Sequence, residues 1–294
     1  MTQSIFCVGN LAKQEFIVNG EPKNFISGSA AFAALSAKTT SEEVLLISSI
    51  GRDFSQAWLN LIVEKGVKLK LKVVEDKPSI FFKYLNEELI GKNISFHVKN
   101  LPFLLKDALN EAQPNLVYIA PNSFKIQKTL LKYAKSTKAM IALGVHEFDL
   151  KNMKSPKKIL NLINHVNLLF LNDSEAKLIT EAYSFFEAIE VLKLYSINKV
   201  IAVTMGRMGV LLIYNGETIH VPAFVINEVD SIGAGDSFAG AFSAKYLICK
   251  NVIDACKYGC LISSLIVGDF GLNALLNLTQ NKVERLIKEK EFIV

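Results

Sequence analysis

Short apolar segments alternate with amphipathic helical segments along most of the 294 residues, and this rhythm restricts the fold more than any other feature. Each segment is apolar at odd and even positions alike, as a parallel strand must be when helices cover both of its faces. The predicted strands are Ile5–Gly9, Val44–Ile50, Leu116–Ala120, Met140–Val145, Leu168–Leu171 and Val200–Thr204. The pattern therefore predicts a mostly parallel sheet that is buried on both sides.

Helical patterns occupy the intervals between these strands. They cover Ala30–Ala37, Phe54–Glu64, Ile126–Lys135, Lys157–Val166, Glu175–Thr180 and Phe185–Tyr195. Strands that alternate with helices favour a doubly wound α/β sheet with right-handed crossovers. We therefore expect an α/β protein.

Two regions break this rhythm. Glu15–Gly20 and roughly 68–98 alternate apolar and polar residues, which predicts antiparallel strands with one solvated face. Gly209–Val221 is predicted to form a further hairpin that turns at Asn215 and Gly216. No internal repeat or linker divides the chain. We therefore expect one domain over residues 1–294, with a small projecting sheet, called the lid, formed by about 12–22 and 68–100.

Composition and charge argue against several classes of protein. Half of the residues are hydrophobic and the net charge of +5 is small for this length, so neither disorder nor nucleic-acid binding is indicated. No stretch approaches the roughly 18 apolar residues that span a bilayer, and no signal peptide is recognisable. Cys249, Cys256 and Cys260 are spaced as one buried, reduced helical stripe rather than as metal ligands. We expect a cytoplasmic protein that binds neither nucleic acid nor membrane.

The segment Asp230-Ser-Ile-Gly-Ala-Gly-Asp-Ser-Phe238 runs directly into an apolar helix. Its glycines permit a tight turn and leave backbone N–H groups uncovered at a helix N-terminus, where the helix dipole also favours an anion. Asp236 lies in the same turn, and a carboxylate beside an anion site can take a proton from an attacking hydroxyl. The alternative is that the glycines only start the helix and that Asp236 is its N-cap.

Two further motifs each follow a predicted strand. Asn172-Asp-Ser-Glu175 places an amide and a carboxylate three residues apart at a helix start, where both can face one metal site. An ordinary N-capping arrangement would use the same residues. Thr204-Met-Gly-Arg-Met-Gly209 is the second motif, and its alternative is a simple turn into a hairpin. Ligands of open α/β sheets bind where such strands end.

Together, these motifs resemble those of the ribokinase-like (PfkB) family of carbohydrate and nucleoside kinases. Asp230–Phe238 matches the C-terminal signature of the family nearly position for position, with Ser231 where the family usually has threonine. Asn172–Glu175 matches its N-x-x-E motif and Thr204–Gly209 its T-x-G-x-x-G element. The resemblance covers almost the whole chain. It implies a three-layer α/β sandwich with a mostly parallel central sheet and a small antiparallel lid sheet.

The resemblance also implies roles for the residues of the glycine turn. Asp236 is then the general base of an ATP-dependent phosphotransferase, and the N–H groups of Gly233, Ala234 and Gly235 form its anion hole. Asp230 and Ile232 match a loop that contributes to a monovalent-cation site in several members, which implies K⁺.

The same resemblance assigns the residues around the cosubstrate. Asn172 and Glu175 lie near Mg²⁺ and the phosphates, with Glu175 acting on the metal directly or through bound water. Thr204, Gly206 and Gly209 border the ATP site.

The acceptor-binding half departs from the family pattern. Members usually carry an aspartate five residues after the first-strand glycine, and counting from Gly9 that position is Gln14, which lacks the charge of a carboxylate. Phe32 stands where asparagine is often found, as in a subset that includes inositol and some nucleoside kinases. The candidate substrate contacts are Asn10, Gln14, Gly28 and Phe32. The acceptor is expected to be a sugar, a polyol or a nucleoside, and the sequence leaves these alternatives open.

Aromatic residues of the lid suggest two further expectations. Phe82 or Tyr84 would cover a bound substrate, although aromatic residues on such a strand commonly only pack. Lid sheets in this family often pair between subunits, and Ile80, Phe82 and Phe96 on an exposed lid would suit a homodimer. A second hypothesis for the whole chain, prompted by Gln14, is a binding or regulatory protein of the same fold without catalysis.

Overall fold

A computed structural model describes residues 3–18, 21–41, 43–85, 88–93, 97–224, 227–279, 281–283 and 285–286. The strands in these residues are β1 (Ser4–Val8), β2 (Ala12–Val18), β3 (Glu21–Ser27), β4 (Glu43–Gly51), β5 (Val67–Val74), β6 (Phe81–Leu85), β7 (Glu88–Asn93), β8 (Leu116–Ile119), β9 (Met140–Gly144), β10 (Leu168–Asn172), β11 (Val200–Thr204), β12 (Val210–Tyr214) and β13 (Glu217–Val221).

The helices are α1 (Ser29–Lys38), α2 (Gln56–Glu64), α3 (Leu101–Glu111), α4 (Phe124–Ala134), α5 (Glu147–Lys151), α6 (Ile159–Ile163), α7 (Asp173–Thr180), α8 (Phe185–Lys193), α9 (Ala234–Cys249), α10 (Val252–Ile266) and α11 (Asn273–Leu276). Short 3₁₀ segments precede α3 and α6 and follow β11. No helix among the described residues is both long enough and apolar enough to cross a bilayer.

Nine strands form the central sheet, in the order β13-β12-β11-β10-β9-β8-β1-β4-β5. All neighbours from β11 to β5 are parallel, whereas β12 and β13 continue the sheet as an antiparallel hairpin. The hairpin turns at Asn215 and Gly216, as predicted, with φ of 50° and 83°. The predicted parallel sheet is confirmed, because each of its six predicted strands is present with both ends within one residue.

Both faces of this sheet are buried against helices. Ile5 and Cys7 of β1 point into one apolar cluster, with α1, α2, α9 and α10, while Phe6 and Val8 point into the other, with α3, α4 and α6 to α8. Consecutive side chains of a strand point to opposite faces, so a strand covered on both sides must be apolar throughout. The α/β class and the three-layer arrangement are therefore confirmed.

The lid is a separate four-stranded sheet, in the order β3-β2-β6-β7. It consists of two antiparallel hairpins, β2–β3 and β6–β7, which are joined by a parallel pairing of β2 with β6. Residues 68–74 were predicted to belong to the lid, but they lie in β5, which pairs in parallel with β4 at the edge of the central sheet. An edge strand has solvated positions of its own, so Lys68, Lys70 and Lys72 give β5 the alternation that is also typical of a lid strand.

Two other expectations differ from the structure. Ile80 is 1% exposed, so it cannot contribute to an exposed apolar surface of the lid, and Phe96 lies outside the described residues. Cys249 ends α9, whereas Cys256 and Cys260 are buried in α10, so the three cysteines do not share one helical stripe.

The packing of α1 against α9 fixes the position of both helix N-termini. At Gly240 of α9, a Cβ atom would lie 2.1 Å from the Ala33 carbonyl oxygen, so the two helices touch backbone to backbone. The chain enters α1 through Gly28 and α9 through Gly233. As a result, both entry turns are held side by side at the carboxyl ends of the parallel strands.

Candidate active site

The turn that precedes α9 is held by a buried carboxylate. Asp230 is 1% exposed, and its two oxygens accept hydrogen bonds from the N–H groups of Ile232, at 3.0 Å, and Gly271, at 3.4 Å. Asp230 thereby ties the turn to a segment far away in the sequence, which fixes the path of the chain just before the helix.

Gly233 is the N-cap of α9 and has φ of +82°, in the left-handed region that favours glycine. A Cβ atom at this position would lie 2.3 Å from a ring carbon of Phe32, which is buried in α1. The ring of Phe32 therefore lies directly beneath the turn, and both the backbone conformation and the space require glycine at position 233.

The exposed N–H groups of the turn differ from those expected. Among the described residues, the N–H groups of Gly233 and Gly235 have no hydrogen-bond acceptor, which suits an anion site at a helix N-terminus. The N–H of Ala234, by contrast, donates to the Ser231 carbonyl oxygen at 3.3 Å. Ala234 is therefore occupied within the turn, and the predicted three-membered anion hole is reduced to two open glycine donors.

Asp236 is the third residue of α9 and does not cap it, because the helix already begins after Gly233. The hydroxyl of Tyr118 in β8 donates to Oδ1 of Asp236 at 3.0 Å. Burial raises the pKa of Asp236 from 3.8 to about 7, and the hydrogen bond from Tyr118 opposes that rise. The carboxyl group is consequently poised to exchange a proton near neutral pH.

Asn172 and Glu175 form the capping box that was the alternative interpretation of their motif. The Asn172 side chain accepts from the N–H of Glu175 at 2.8 Å, and the Glu175 carboxylate accepts from the N–H groups of Asn172, at 2.7 Å, and Glu147, at 3.0 Å. Glu175 is 4% exposed. Burial raises its pKa to about 8, although both N–H groups favour the charged form and lower it.

One cavity of about 470 Å³ collects these groups at the carboxyl ends of β1, β8, β9, β10 and β11. The predicted residues on its wall are Asn10, Gly28, Phe32, Asn172, Glu175, Thr204, Ile232, Gly233, Gly235 and Asp236. The predicted residues that are not on the wall are Gln14, Gly206, Gly209, Asp230 and Ala234. The structure therefore brings the three motifs into one cavity, although not every residue of each motif faces it.

The glycines of the segment after β11 have different surroundings. A Cβ atom at Gly209 would lie 2.2 Å from the Val221 carbonyl oxygen, so this glycine allows the β12–β13 hairpin to close. A Cβ atom at Gly206 would meet nothing within 4 Å. Only Thr204 of this motif lines the cavity.

Residues of the lid form one end of the cavity. Phe82 and Tyr84 of β6 line the wall, as do Asn10 and Gly28. Gly28 has φ of +116°, and a Cβ atom there would lie 2.4 Å from the Asn10 carbonyl oxygen, so the two chain segments are in close contact. This end of the cavity is lined by aromatic rings and neutral polar groups.

Gln14 is not on the cavity wall. It pairs with Phe82 across β2 and β6, is 0% exposed, and neither atom of its amide group has a hydrogen-bond partner among the residues that the structure describes. Directly opposed residues of paired strands project to the same face, so Gln14 lies beside Phe82 on the face of the lid that contributes to the cavity, although Gln14 itself is fully buried.

An aromatic cluster joins the lid to the body of the protein. The ring of Phe16 lies 5.3 Å from that of Tyr84 and 5.1 Å from that of Phe270, and Phe25 stacks on Phe270 at 5.3 Å. The N–H of Leu272 donates to the Ile26 carbonyl oxygen at 3.0 Å. The lid therefore docks on residues 270–272, the same segment that donates to Asp230.

Several residues on the cavity wall were not identified from the sequence. They are Ser27, Ser29, Tyr118, Pro121, Asn122, Gly144, Val145, His146, Phe148, Asp149, Phe170, Leu171 and Ser231. Many of them follow β8 and β9, so the rule that ligands bind where parallel strands end would have indicated those two segments as well.

The chain matches one protein family along most of its length. Residues 2–278 match the family described as pfkB family carbohydrate kinase. The chain is 26% identical over 226 residues to a cytidine kinase of Thermococcus kodakarensis, with 74% of this chain and 79% of that protein covered. It is 29% identical over 253 residues to a ribokinase of Lactococcus lactis, with 82% and 77% covered.

Solved structures share the fold. A double mutant of fructokinase from Vibrio cholerae, solved with fructose, ADP and a potassium ion, superimposes with a TM-score of 0.81. The two sequences are 14% identical, and the superposition covers 97% of this chain and 98% of the other. At this level of identity the superposition establishes the fold alone.

Proposed function

The chain belongs to the pfkB family of carbohydrate kinases, and from this premise we propose that it transfers the γ-phosphate of ATP to a hydroxyl group of a sugar, a polyol or a nucleoside, with Asp236 as the general base. One observation supports this proposal above the others. The Asp236 carboxyl, with a pKa of about 7, faces the cavity beside the open N–H groups of Gly233 and Gly235.

The residues of this site have complementary tasks in phosphoryl transfer. Asp236 takes the proton of the acceptor hydroxyl as its oxygen bonds to phosphorus and the bond from phosphorus to the leaving oxygen breaks. The N–H groups of Gly233 and Gly235, with the dipole of α9, stabilise the negative charge that develops on the transferred group. Phe82 and Tyr84 of the lid cover the acceptor and exclude water, which protects against wasteful hydrolysis.

The donor set of the cavity fits ATP with Mg²⁺. ATP supplies the phosphoryl group, and Mg²⁺ neutralises charge on its phosphates. Within the described part of the chain, no cluster of three or more His, Cys, Asp or Glu side chains could hold a metal alone. Mg²⁺ commonly keeps several waters and binds one or two carboxylates together with substrate phosphates. We assign this role to Glu175 and Asn172, and we assign the nucleotide side to Thr204, Gly206 and Gly209.

A monovalent cation is a further part of the proposal. Asp230 and Ile232 would contribute to a K⁺ site beside the turn, and the carboxylate of Asp230 is buried there. Its charge also helps to raise the pKa of Tyr84 to about 12, after the larger effect of burial. The fructokinase structure described above contains a potassium ion, and a dependence of the rate on K⁺ over Na⁺ would test the assignment.

Replacing Glu175 with glutamine is expected to raise the Mg²⁺ concentration for half-maximal activity by about tenfold, as for other residues that orient a metal from its outer shell. The free energy of unfolding should change by no more than about 1 kcal/mol, because the amide accepts only one of the two N–H groups but also removes a buried carboxyl with a raised pKa. Mg²⁺ titration of the rate and thermal unfolding measure these effects.

Glu187→Gln is the matched control. Glu187 completes an equivalent capping box at α8 with Ser184, but it is exposed and lies outside the cavity. The Glu187→Gln variant should have a lower free energy of unfolding, because its helix cap is weakened, but the same dependence of the rate on Mg²⁺ as the wild-type protein. Equal Mg²⁺ dependence in the two variants would remove Glu175 from the metal site.

The rate is expected to depend on pH through Asp236. A general base acts only when it is ionised, so kcat/KM should rise with pH and level off above the pKa of about 7. Glu175 has a pKa of about 8 and faces the same cavity, so the profile should be repeated in Glu175→Gln. A profile that is flat from pH 5.5 to 8 in both proteins would argue against a base with a raised pKa.

A substrate screen tests the function as a whole. ATP, Mg²⁺ and K⁺ would be combined with a panel of sugars, polyols and nucleosides, and ADP formation would be measured against a control without acceptor. In parallel, a thermal-shift assay with a non-hydrolysable ATP analogue and each acceptor would identify compounds that bind the folded state. Acceptor-dependent ADP formation is expected. ATP binding without turnover on any acceptor would instead favour the binding or regulatory protein.

We also retain a homodimer through the lid as a proposal. β3 and β7 are the outer strands of the lid sheet, and unpaired strand edges can pair with a second copy of the chain. A monomeric mass in solution at micromolar concentration, measured by light scattering, would exclude this arrangement.

A further inference from the structure

Tyr118 connects the centre of the sheet to the candidate base. It lies in β8, is 1% exposed, and its hydroxyl donates to Oδ1 of Asp236 at 3.0 Å. The bond joins the sheet to α9, and its two residues are 118 positions apart in the sequence. It is therefore a tertiary contact that depends on the folded arrangement of these two elements.

The phenol has little freedom to move. A Cβ atom at Gly144 in the neighbouring strand would lie 2.6 Å from the Tyr118 hydroxyl, so only glycine leaves room for it. The ring packs edge to face against Phe170, with 6.4 Å between the ring centroids. Packing from β9 and β10 thus fixes the direction in which the hydroxyl group points.

This contact makes the two oxygens of Asp236 unequal. Oδ1 accepts the hydrogen bond from Tyr118, whereas no donor to Oδ2 is found among the residues described. Burial raises the pKa of Tyr118 well above 10, as does the nearby charge of Asp236, so the phenol remains protonated and continues to donate. Each carboxylate oxygen can accept two hydrogen bonds, so Oδ2 has more free capacity than Oδ1 to receive a proton from an acceptor.

We propose that Tyr118 is a positioning residue for the general base: its hydroxyl holds Oδ1 of Asp236, directs Oδ2 toward the acceptor hydroxyl and favours the ionised carboxylate. The role in turnover rests on the proposed function, in which Asp236 is the base. The hydrogen bond itself does not depend on that function, so the two ideas can be tested separately.

Other titratable groups also act on this carboxyl and must be considered in any pH experiment. Glu175 of α7 interacts electrostatically with Asp236, and His146 and Asp149 line the same cavity. Cys7 of β1 acts on Tyr118 from the other side. A substitution at position 118 leaves all of these side chains in place. A difference in the titration of Asp236 between the wild-type protein and a Tyr118 variant therefore reports on the phenol.

Tyr118→Phe removes the hydroxyl and keeps the ring. We expect the low-pH limb of kcat/KM to move upward by about one pH unit, since the ionised carboxylate loses a hydrogen bond, and kcat at its optimum to fall about tenfold because the base is less well oriented. Tyr258→Phe is the matched control, because Tyr258 is also buried and donates to Thr39 Oγ1 at 2.9 Å, away from the cavity. If the low-pH limb of the kcat/KM profile lay at the same pH in Tyr118→Phe as in the Tyr258→Phe control, the proposal would be overturned.

A readout without turnover separates this inference from the proposed function. The protein would be labelled with [4-¹³C]aspartate, and the carboxyl resonance of Asp236 would be assigned by its loss in Asp236→Asn. Its titration should move to higher pH in Tyr118→Phe, whether or not the protein is an active kinase. An unchanged titration would refute the inference, whereas full activity of Asp236→Asn would refute Asp236 as the general base and leave the hydrogen bond from Tyr118 untouched.

A second variant addresses the case in which Tyr118→Phe does not fold. Site-specific 3-fluorotyrosine at position 118 keeps both the ring and the hydroxyl but makes the hydroxyl a stronger donor. The ¹³C titration of Asp236 should then move to lower pH. If the titration of Asp236 did not move to lower pH, this would count against the proposed hydrogen bond as strongly as an unchanged titration in Tyr118→Phe.

Discussion

Replacement of Asp236 by asparagine is expected to lower kcat by at least about 10²-fold, the usual contribution of a general base. Asparagine keeps the shape of the side chain and can still accept the hydrogen bond from Tyr118, so the turn should be preserved. It cannot take a proton from an acceptor hydroxyl. Steady-state kinetics on any accepted substrate, at saturating ATP and Mg²⁺, measures the loss.

The same substitution is expected to stabilise the folded protein. The pKa of Asp236 is 3.8 in its ordinary state and about 7 in the folded state, so the folded state binds the additional proton between these values. The free energy of unfolding therefore falls as the pH rises through this window, because an ionised carboxylate must then remain in a half-buried position that disfavours its charge. Asparagine removes that cost, so Tm at pH 8 should exceed the wild-type value. A loss of activity with a gain in Tm excludes misfolding as the cause.

Asp254→Asn is the control for this experiment. Asp254 is also the third residue of its helix, α10, but it is exposed and distant from the cavity. Its replacement should change neither kcat nor the pH profile. If Asp236→Asn turned over as fast as Asp254→Asn, Asp236 could not be the base.

Replacement of Gly233 by alanine is expected to lower kcat by about 10²-fold, similar to the loss of one oxyanion-hole donor. The added methyl would lie 2.3 Å from the Phe32 ring, so either the ring or the turn must move. Because φ is +82°, alanine also adds strain of about 1 kcal/mol in the left-handed region. Binding of ATP, followed by calorimetry, should weaken together with the rate.

Gly216→Ala separates the two causes. Gly216 has φ of +83° in the β12–β13 turn, but nothing lies within 4 Å of its added Cβ atom. It should show the conformational strain alone, as a lower Tm with unchanged kcat. In a double-mutant cycle, Phe32→Leu should restore part of the activity of Gly233→Ala. If the effects of Gly233→Ala and Phe32→Leu on kcat were strictly additive, the clash with Phe32 would not be the reason for the loss of activity.

The central sheet could be predicted because burial on both faces leaves a clear signature in each strand. In β10 the four residues Leu168–Leu171 are all buried and apolar, so no solvated position interrupts the run before the strand ends at Asn172. The edge strand β5 has solvated positions, so its local pattern is that of a lid strand. Whether such a strand belongs to the central sheet or to the lid depends on the strand with which it pairs. The local sequence does not encode that partner.

The candidate site was predictable where a motif concentrates several residues, as between Asp230 and Asp236. Tyr118 has no such context, because its role depends on a contact with α9 that only the tertiary fold creates. Gln14 is a residue for which the sequence predicts a role that the structure does not directly support. Its position in the chain predicts a substrate contact. The register of β2 and β6 places it on the same face as Phe82, but its side chain is fully buried and is not on the cavity wall.

Docking of the lid on residues 270–272 has a thermodynamic consequence. Phe270 packs against the lid, while the adjacent Gly271 holds the carboxylate that shapes the turn before α9. Two events that share one segment are coupled, and such coupling is reciprocal. If the proposed sites are correct, we expect a ligand that tightens the turn to favour the docked lid as well. An acceptor that holds the lid in place should then increase the affinity for the phosphate group by the same factor.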